Sequence, residues 1–256
     1  MISKNKIKYI RSLELKKNRD QMGEFVAEGP KVVGDIIARH PSCLRQIVAT
    51  ERWIESHRAE LQATGCELTV VDETELTKAS FLCHPQQVLG VFRKLDCWLD
   101  AGALEGRLTL VLDGVQDPGN LGTIVRIADW FGIENVVCSR DTADIYNPKV
   151  VQATMGSIAR VNVAYTQLDD FFDTLPPTLP IYGTLLEGEN MYSHKLTDNG
   201  IIIMGNEGKG ISPAIRKRIT DALRIPNYPP ERDTAESLNV AIATAIVCAE
   251  FRRKLL

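Results

Sequence analysis

The stretch at 201–212, IIIMGNEGKGIS, constrains the fold most. Four apolar residues, three of them β-branched, run straight into a loop with glycine at 205, 208 and 210. A short apolar run stopped by glycines predicts a buried strand emptying into a tight loop. Glycine allows positive φ and close backbone approach to a ligand. Asn206, Glu207 and Lys209 would then stand at the carboxyl end of a strand, where open α/β sheets bind ligands. The loop is not a P-loop, because Gly210 follows Lys209 where that pattern needs Ser or Thr. Nor does a GxGxxG dinucleotide fingerprint follow any strand. A plain surface turn before a helix capped by Ser212, with Pro213 in its first turn, fits the same residues.

The preceding hundred residues hold a second strand-to-loop junction. Residues 108–112 form a continuous apolar run of the kind buried on both faces, followed by DGVQDPGN. Asp117 is placed to cap a helix and Pro118 to occupy its first turn. Leu121, Ile124, Val125, Ala128 and Phe131 mark that helix's core stripe. Gly119, Gly122, Arg126 and Asp129 share another stripe, so Arg126 points away from the core beside small residues. A surface ion pair with Asp129 is the plain alternative for this arginine. Strands are expected at 135–138, 161–164, 181–185 and 222–225, with helices at 148–157 and 167–175. The last helix, LNVAIATAIVCAEF, is apolar nearly all round until Glu250, which predicts burial on every side, partly by a second copy of the chain or, as the plain alternative, as a central helix within one domain.

The first ninety residues read as a smaller α/β unit. Strands are expected near 25–27, 47–49, 68–71 and 88–92, and helices from Pro30 and over 52–62. Residues 95–106 mark the domain boundary. The net charge of −3 conceals an asymmetry. Residues 1–20 carry Lys4, Lys6, Lys8, Arg11, Lys16, Lys17 and Arg19 against Glu14 and Asp20, a balance of +5 on a body of −8. That pattern fits a local contact with a polyanion, and equally a solvated helix face. The six cysteines form no CxxC pair and read as thiols in a reducing compartment. The four histidines show no metal-ligand spacing, and no metal is expected. Residues 1–17 lack a secretory signal, and no apolar run approaches the ~20 residues of a membrane span. A cytoplasmic protein without a membrane partner is the expectation.

Three motifs stand in order: DGVQDPGNLGTIVRIADWFG at 113–132, IIIMGNEGKGIS at 201–212, and RIPNYPPERDTAESLNVA at 224–241. Together they resemble the SpoU, or TrmH-like, family of RNA ribose 2′-O-methyltransferases in the SPOUT superfamily. EFVAEGPKVVGDII and HPQQVLGVF, in the first ninety residues, are similar to the substrate-binding domain, akin to ribosomal protein L30e, that many members carry. The resemblance implies an α/β protein: an L30e-like RNA-binding domain at 1–95, a linker at 96–106, and a trefoil-knotted methyltransferase domain at 107–256. It implies a homodimer through the carboxyl-terminal domain, with S-adenosylmethionine as methyl donor. The donor's contacts would come from Thr184, Leu185, Gly205, Asn206, Gly210, Ile225, Pro226, Ser237 and Leu238.

The same resemblance places Arg126 beside the reacting hydroxyl, with Asn120, Glu207, Ser237 and Asn239 around it. Guanidinium has a pKa above ~12, so steering the hydroxyl or holding a phosphate suits Arg126 better than acting as base. Glu207 is then the proton acceptor, or a residue that holds Arg126 or Asn120. The RNA-gripping residues would be Lys4, Lys8, Arg11, Lys16, Lys17 and Arg19. Ribosomal RNA is favoured over transfer RNA by analogy with the ribosomal module. Two departures stand out: residues 228–233 lengthen the third motif, and Ala241 replaces its common serine. Rival readings are an inactive RNA-binding protein, which labelled-methyl transfer would separate, and a nucleotide-dependent dehydrogenase, which thermal shift with NAD would reveal.

Overall fold

The structure is a computed structural model that describes residues 2–97, 101–104, 106–230, 232–233 and 235–253. Residues 98–100 and 105 of the expected linker, and Glu231 of the lengthened third motif, lie outside the described residues. The chain divides into two compact units, Met1–Asp96 with Asp144–Arg160, and Cys97–Ala143 with Val161–Leu256.

The first unit is a four-stranded sheet flanked by helices. Its strands are β1 (Glu24–Glu28), β2 (Leu44–Ala49), β3 (Glu67–Val70) and β4 (Val88–Arg93), in the order β1-β4-β2-β3. β4 runs antiparallel to both β1 and β2, while β2 and β3 are parallel. The basic amino-terminal end forms two helices, α1 (Lys4–Ser12) and α2 (Lys16–Met22). Ile10 and Leu13 carry this end into a core with Val26, Val48, Leu76, Leu89 and Val91. α3 (Pro30–Arg39) buries Val32, Val33, Ile36 and Ile37, the stripe its sequence spacing requires. The helix expected over 52–62 is instead two, α4 (Glu51–Ser56) and α5 (Arg58–Thr64). His57 breaks it, with its ring stacked on Trp53 at 4.2 Å. α6 (Glu73–Ala79) is capped by Asp72, which accepts from the Glu75 N–H at 2.7 Å.

The second unit is an α/β layer structure around a fully parallel sheet. Its strands are β5 (Leu108–Asp113), β6 (Asn135–Ser139), β7 (Asn162–Thr166), β8 (Ile181–Asn190), β9 (Gly200–Gly205) and β10 (Asp221–Arg224). The order is β10-β8-β9-β5-β6-β7, and every adjacent pair is parallel. Alternate residues of each strand face opposite sides. Val111, Val137, Ile201 and Ile203 form one face's core with Phe171, Phe172 and Ile215. Those residues belong to α9 (Leu168–Asp173) and α10 (Pro213–Arg216). α7 (Pro118–Trp130) and α11 (Val240–Arg253) pack on each other, and Phe251 of α11 meets Tyr182 of β8 edge-on at 4.9 Å.

The helix expected over 148–157 is shorter, α8 (Pro148–Ala153), because Met155 and Gly156 turn through positive φ. The expected carboxyl-terminal domain, 107–256, contains this segment in sequence, but by contacts Asp144–Arg160 clusters with the first unit. Tyr146 packs on Phe25 of β1 at 4.8 Å, and Arg160 pairs with Asp35 of α3 at 2.7 Å. Among the described residues, no helix is long and apolar enough to cross a membrane.

Candidate active site

The strand order reverses between β5 and β9. From β5 the chain builds outward through β6 and β7, then returns to lay β8 and β9 on the other side. At such a switch point the loops leaving the two central strands diverge and open a crevice at the carboxyl edge. The register Asp113↔Gly205 brings the ends of β5 and β9 level. The two glycine-rich motifs expected from the sequence therefore emerge side by side.

The loop after β9 is built by its own polar groups. Asn206 exchanges both backbone hydrogen bonds with Gly210, at 3.0 and 2.9 Å. Its side-chain oxygen accepts from the N–H groups of Gly208 and Lys209, and its amide donates to the Gly114 carbonyl at 2.6 Å. Asn206 thus ties the loop to the end of β5. A Cβ at Gly205 would stand 2.3 Å from the Gly210 carbonyl carbon, so only glycine closes this turn. Ser212 donates its N–H to the Asp113 carboxylate at 2.7 Å, locking the far side of the loop.

Glu207 is thereby aimed at the start of α7. Asp117 caps that helix, accepting from the Asn120 N–H at 2.7 Å. The Asn120 amide donates to Glu207 Oε1 at 2.9 Å, and the Gln116 and Asp117 N–H groups approach the same carboxylate at 3.4 Å. A carboxylate suits these helix-start N–H groups electrostatically. Asn239 completes the chain: its amide donates to Asn120 Oδ1 at 2.9 Å, while its own oxygen caps α11 by accepting from Ala241 and Ile242. Three expected residues, Asn120, Glu207 and Asn239, so form one hydrogen-bonded relay.

A cavity of about 490 Å³ adjoins this relay, with Glu207 in its wall. Thr184, Leu185, Gly205, Asn206, Gly210, Ile225, Ser237 and Leu238 all line it, as expected; Pro226 does not. Leu186, Glu187, Met204, Lys209, Arg216, Arg224 and Glu236 line it as well, and sequence reasoning missed most of these. The reason lies in β8. Gly183 lies opposite Ala222, but Glu189 lies opposite the very next residue, Leu223. Residues 184–188 therefore leave the ladder and bow out as one wall of the cavity. A Cβ on Gly188 would sit 2.6 Å from the Leu223 carbonyl carbon, so glycine permits the strands to rejoin. The volume falls in the range of small-molecule and cofactor pockets.

Arg126 stands apart. It is exposed, does not line the cavity, and makes no hydrogen bond or ion pair among the described residues. The ion pair with Asp129 is not formed. In the first unit, Lys4, Lys8, Lys16 and Lys17 are exposed. Arg11 is committed to the Ser80 carbonyl and stacks its guanidinium 5.3 Å from the Phe81 ring centre. Arg19 does not belong with the phosphate-facing set. It is 1% exposed, pairs with Asp144 at 2.6 Å, and donates to the Leu13 and Glu14 carbonyls.

A parallel sheet with its cavity at the carboxyl switch point, walled by apolar side chains and by groups of both charges, defines an open α/β protein with a pocket of cofactor size. A family model described as "SpoU rRNA Methylase family" matches residues 107–249, and one described as "MRM3-like substrate binding domain" matches residues 4–90. The chain belongs to the SpoU RNA methylase family and is an S-adenosylmethionine-dependent RNA ribose 2′-O-methyltransferase. It is 31% identical over 250 residues to the 23S rRNA (guanosine(2553)-2′-O)-methyltransferase RlmP of Bacillus subtilis, covering 96% of each chain. It is 37% identical to RlmB, a 23S rRNA (guanosine-2′-O-)-methyltransferase of Pseudomonas syringae, over 66% of this chain and 67% of that one. The AdoMet-bound rRNA methyltransferase of Sinorhizobium meliloti superposes with a TM-score of 0.88 at 30% identity, covering 100% of this chain and 97% of the other.

Proposed function

We propose that the protein methylates a ribose 2′-hydroxyl in ribosomal RNA in the cytoplasm, with 1–95 as the substrate-binding domain, 96–106 as a connection and 107–256 as the methyl-transfer domain. The observation that carries this reading is the Asn120–Glu207–Asn239 relay, which meets the switch-point cavity at Glu207. The relatives named for 23S rRNA favour ribosomal over transfer RNA.

The cavity's residues suit S-adenosylmethionine chemically. Leu185, Leu186, Ile225 and Leu238 offer apolar walls for an adenosine, and Glu187, Glu207 and Glu236 offer negative charge to a sulfonium and an ammonium. Lys209, Arg216 and Arg224 offer positive charge to a carboxylate, although Arg216 is already paired with Glu187. When bound, the donor supplies a methyl group already activated on sulfur. What this chain must add is alignment of the ribose oxygen and management of its proton. Glu207 is committed to Asn120 and to two backbone N–H groups, so it acts by orienting Asn120. From the third motif, Ser237 lines the cavity and Asn239, two residues on, joins the relay through Asn120.

Arg126 steers the hydroxyl or an adjoining phosphate once RNA or a second copy brings it to the cavity. The exposed faces of α7 and α11 support a homodimer. Trp130, four residues beyond Arg126 and on its side of the helix, is 84% exposed, and Ile242 is 54% exposed. Trp130 and Ile242 are large apolar side chains that one chain alone leaves in water. The test is transfer of labelled methyl to ribosomal RNA from cells lacking the protein, followed by mapping of ribose 2′-O-methyls. A new 2′-O-methyl in ribosomal RNA is expected; label on a base, or in transfer RNA alone, contradicts the reading.

A further inference from the structure

β8 and β10 run parallel and end together. Asn190 lies opposite Arg224, and the Met191 N–H donates to the Arg224 carbonyl at 3.0 Å. The chain beyond both ends therefore leaves at the carboxyl edge of the sheet, where Arg224 and Ile225 line the cavity. Each continuation carries an exposed tyrosine within a few residues: Tyr192 is 51% exposed and Tyr228 is 88% exposed. Neither ring contacts another aromatic ring among the described residues.

Both are carried on hydrogen-bonded backbone. The Tyr192 N–H donates to Asn190 Oδ1 at 3.1 Å, and the Ser193 N–H donates to the Asn190 carbonyl at 3.1 Å. After Tyr228, the Arg232 N–H donates to the Pro229 carbonyl at 3.1 Å, and the Asn227 amide reaches the Arg232 carbonyl at 3.4 Å. Pro229 and Pro230 further restrict this loop. The loop leaves the cavity wall at Ile225 and returns to it at Glu236. Both ends of the loop therefore belong to the cavity wall. Unpaired RNA bases are held by stacking on aromatic rings, an interaction that needs an open ring face on a fixed support.

We infer that Tyr228, with Tyr192 from the neighbouring strand end, is a stacking platform for unpaired nucleobases next to the reacting ribose. This rests on the RNA-methyltransferase reading. It gives the lengthened third motif a role: it reads the RNA around the target and does not take part in methyl transfer itself.

The test measures methyl transfer to unmodified ribosomal RNA purified from cells lacking the protein. Tyr228→Ala is expected to raise KM for RNA about tenfold, with the loss falling on KM and not on kcat. Tyr228→Phe keeps the ring face and is expected to restore KM. Tyr192→Ala is expected to raise KM about threefold, as the less exposed of the two. Calorimetric S-adenosylmethionine affinity should be the same in all three variants, which verifies that the cavity is folded. Unchanged KM in Tyr228→Ala, or a Phe variant as impaired as the Ala variant, overturns the inference while leaving the enzyme reading intact. Loss of dimer mass in light scattering with unchanged KM assigns Tyr228 to an interface between copies and also overturns it. A wild-type protein that transfers no methyl to any RNA overturns the underlying reading, and this inference with it.

Discussion

Helix α2 of the first unit and helix α7 of the second each carry an arginine that the sequence singles out, Arg19 by the basic run at 1–20 and Arg126 by its stripe of small residues. On α2, Arg19 is almost wholly buried, and its guanidinium ties α2 to the carbonyls of Leu13 and Glu14 and to the Asp144 carboxylate. On α7, Arg126 stands in solvent beside the buried Gly122 and bonds to nothing described. Arg19 holds the fold, whereas Arg126 makes no bond among the described residues, as its proposed role toward RNA requires. The difference arises from what surrounds each helix. α2 ends at Gly23 and turns Arg19 inward while Lys16 and Lys17 stay exposed, whereas α7 meets the core through Leu121, Ile124, Val125 and Ala128 and leaves Arg126 on its open side.

Breaking each arginine should separate stability from chemistry. Arg19→Ala removes a buried guanidinium from the half-buried Asp144 carboxylate and from two backbone carbonyls, and is expected to cost about 3–5 kcal/mol in denaturant unfolding. Arg126→Ala should unfold like the wild type but lose on the order of a hundred- to a thousand-fold in kcat, the scale of one lost transition-state electrostatic contact. If Arg126→Ala instead melts early, the comparison fails, because the residue would then be structural.

The relay sharpens the same contrast within one residue, since Asn239 both caps α11 and donates to Asn120. Asn239→Ala is expected to lose roughly 1 kcal/mol of stability with the cap. Asn239→Asp retains the cap but cannot donate to Asn120. It should therefore keep its stability and still lose methyl transfer, measured side by side with the Ala variant.

The smallest expected effect concerns a carboxylate of the first unit. Burial pushes the Glu28 carboxyl above its ordinary value of 4.5, outweighing the hydrogen bonds it accepts from the Ser80 hydroxyl and the Phe81 N–H. The folded protein then holds this proton more tightly than the unfolded chain. Its contribution favours folding in acid and is lost as pH rises from about 4.5 through the raised value. Glu28→Gln should change neutral-pH stability by less than about 1 kcal/mol and remove that downward slope. A steeper fall in the variant would reverse the sign.

The switch-point cavity was legible in the sequence wherever it is made of strand ends. The apolar runs at 108–112 and 201–204 became adjacent parallel strands, and their glycine loops met at the switch point. Asn120, Glu207 and Asn239, separated by up to 119 residues, were brought within hydrogen-bonding distance. What was not legible depends on register and on neighbours far along the chain. The bow at 184–188 comes from β8 rejoining β10 one residue later, which no local pattern in TLLEG announces. Arg19 and Lys17 look alike in a charge count, yet only Arg19 has Asp144 across from it. Met155 and Gly156 ended α8 early through backbone torsion that helical periodicity does not report.

The central claim is that the glycine-closed loop at the switch point forms a pocket for S-adenosylmethionine, separate from the arginine that acts on RNA. Calorimetric titration of S-adenosylmethionine into the wild type, Gly205→Val and Arg126→Ala tests it most directly. Binding is expected for the wild type and Arg126→Ala with equal affinity, and none for Gly205→Val, whose Cβ would stand 2.3 Å from the Gly210 backbone. Undiminished binding by Gly205→Val, or lost binding by Arg126→Ala, would contradict it.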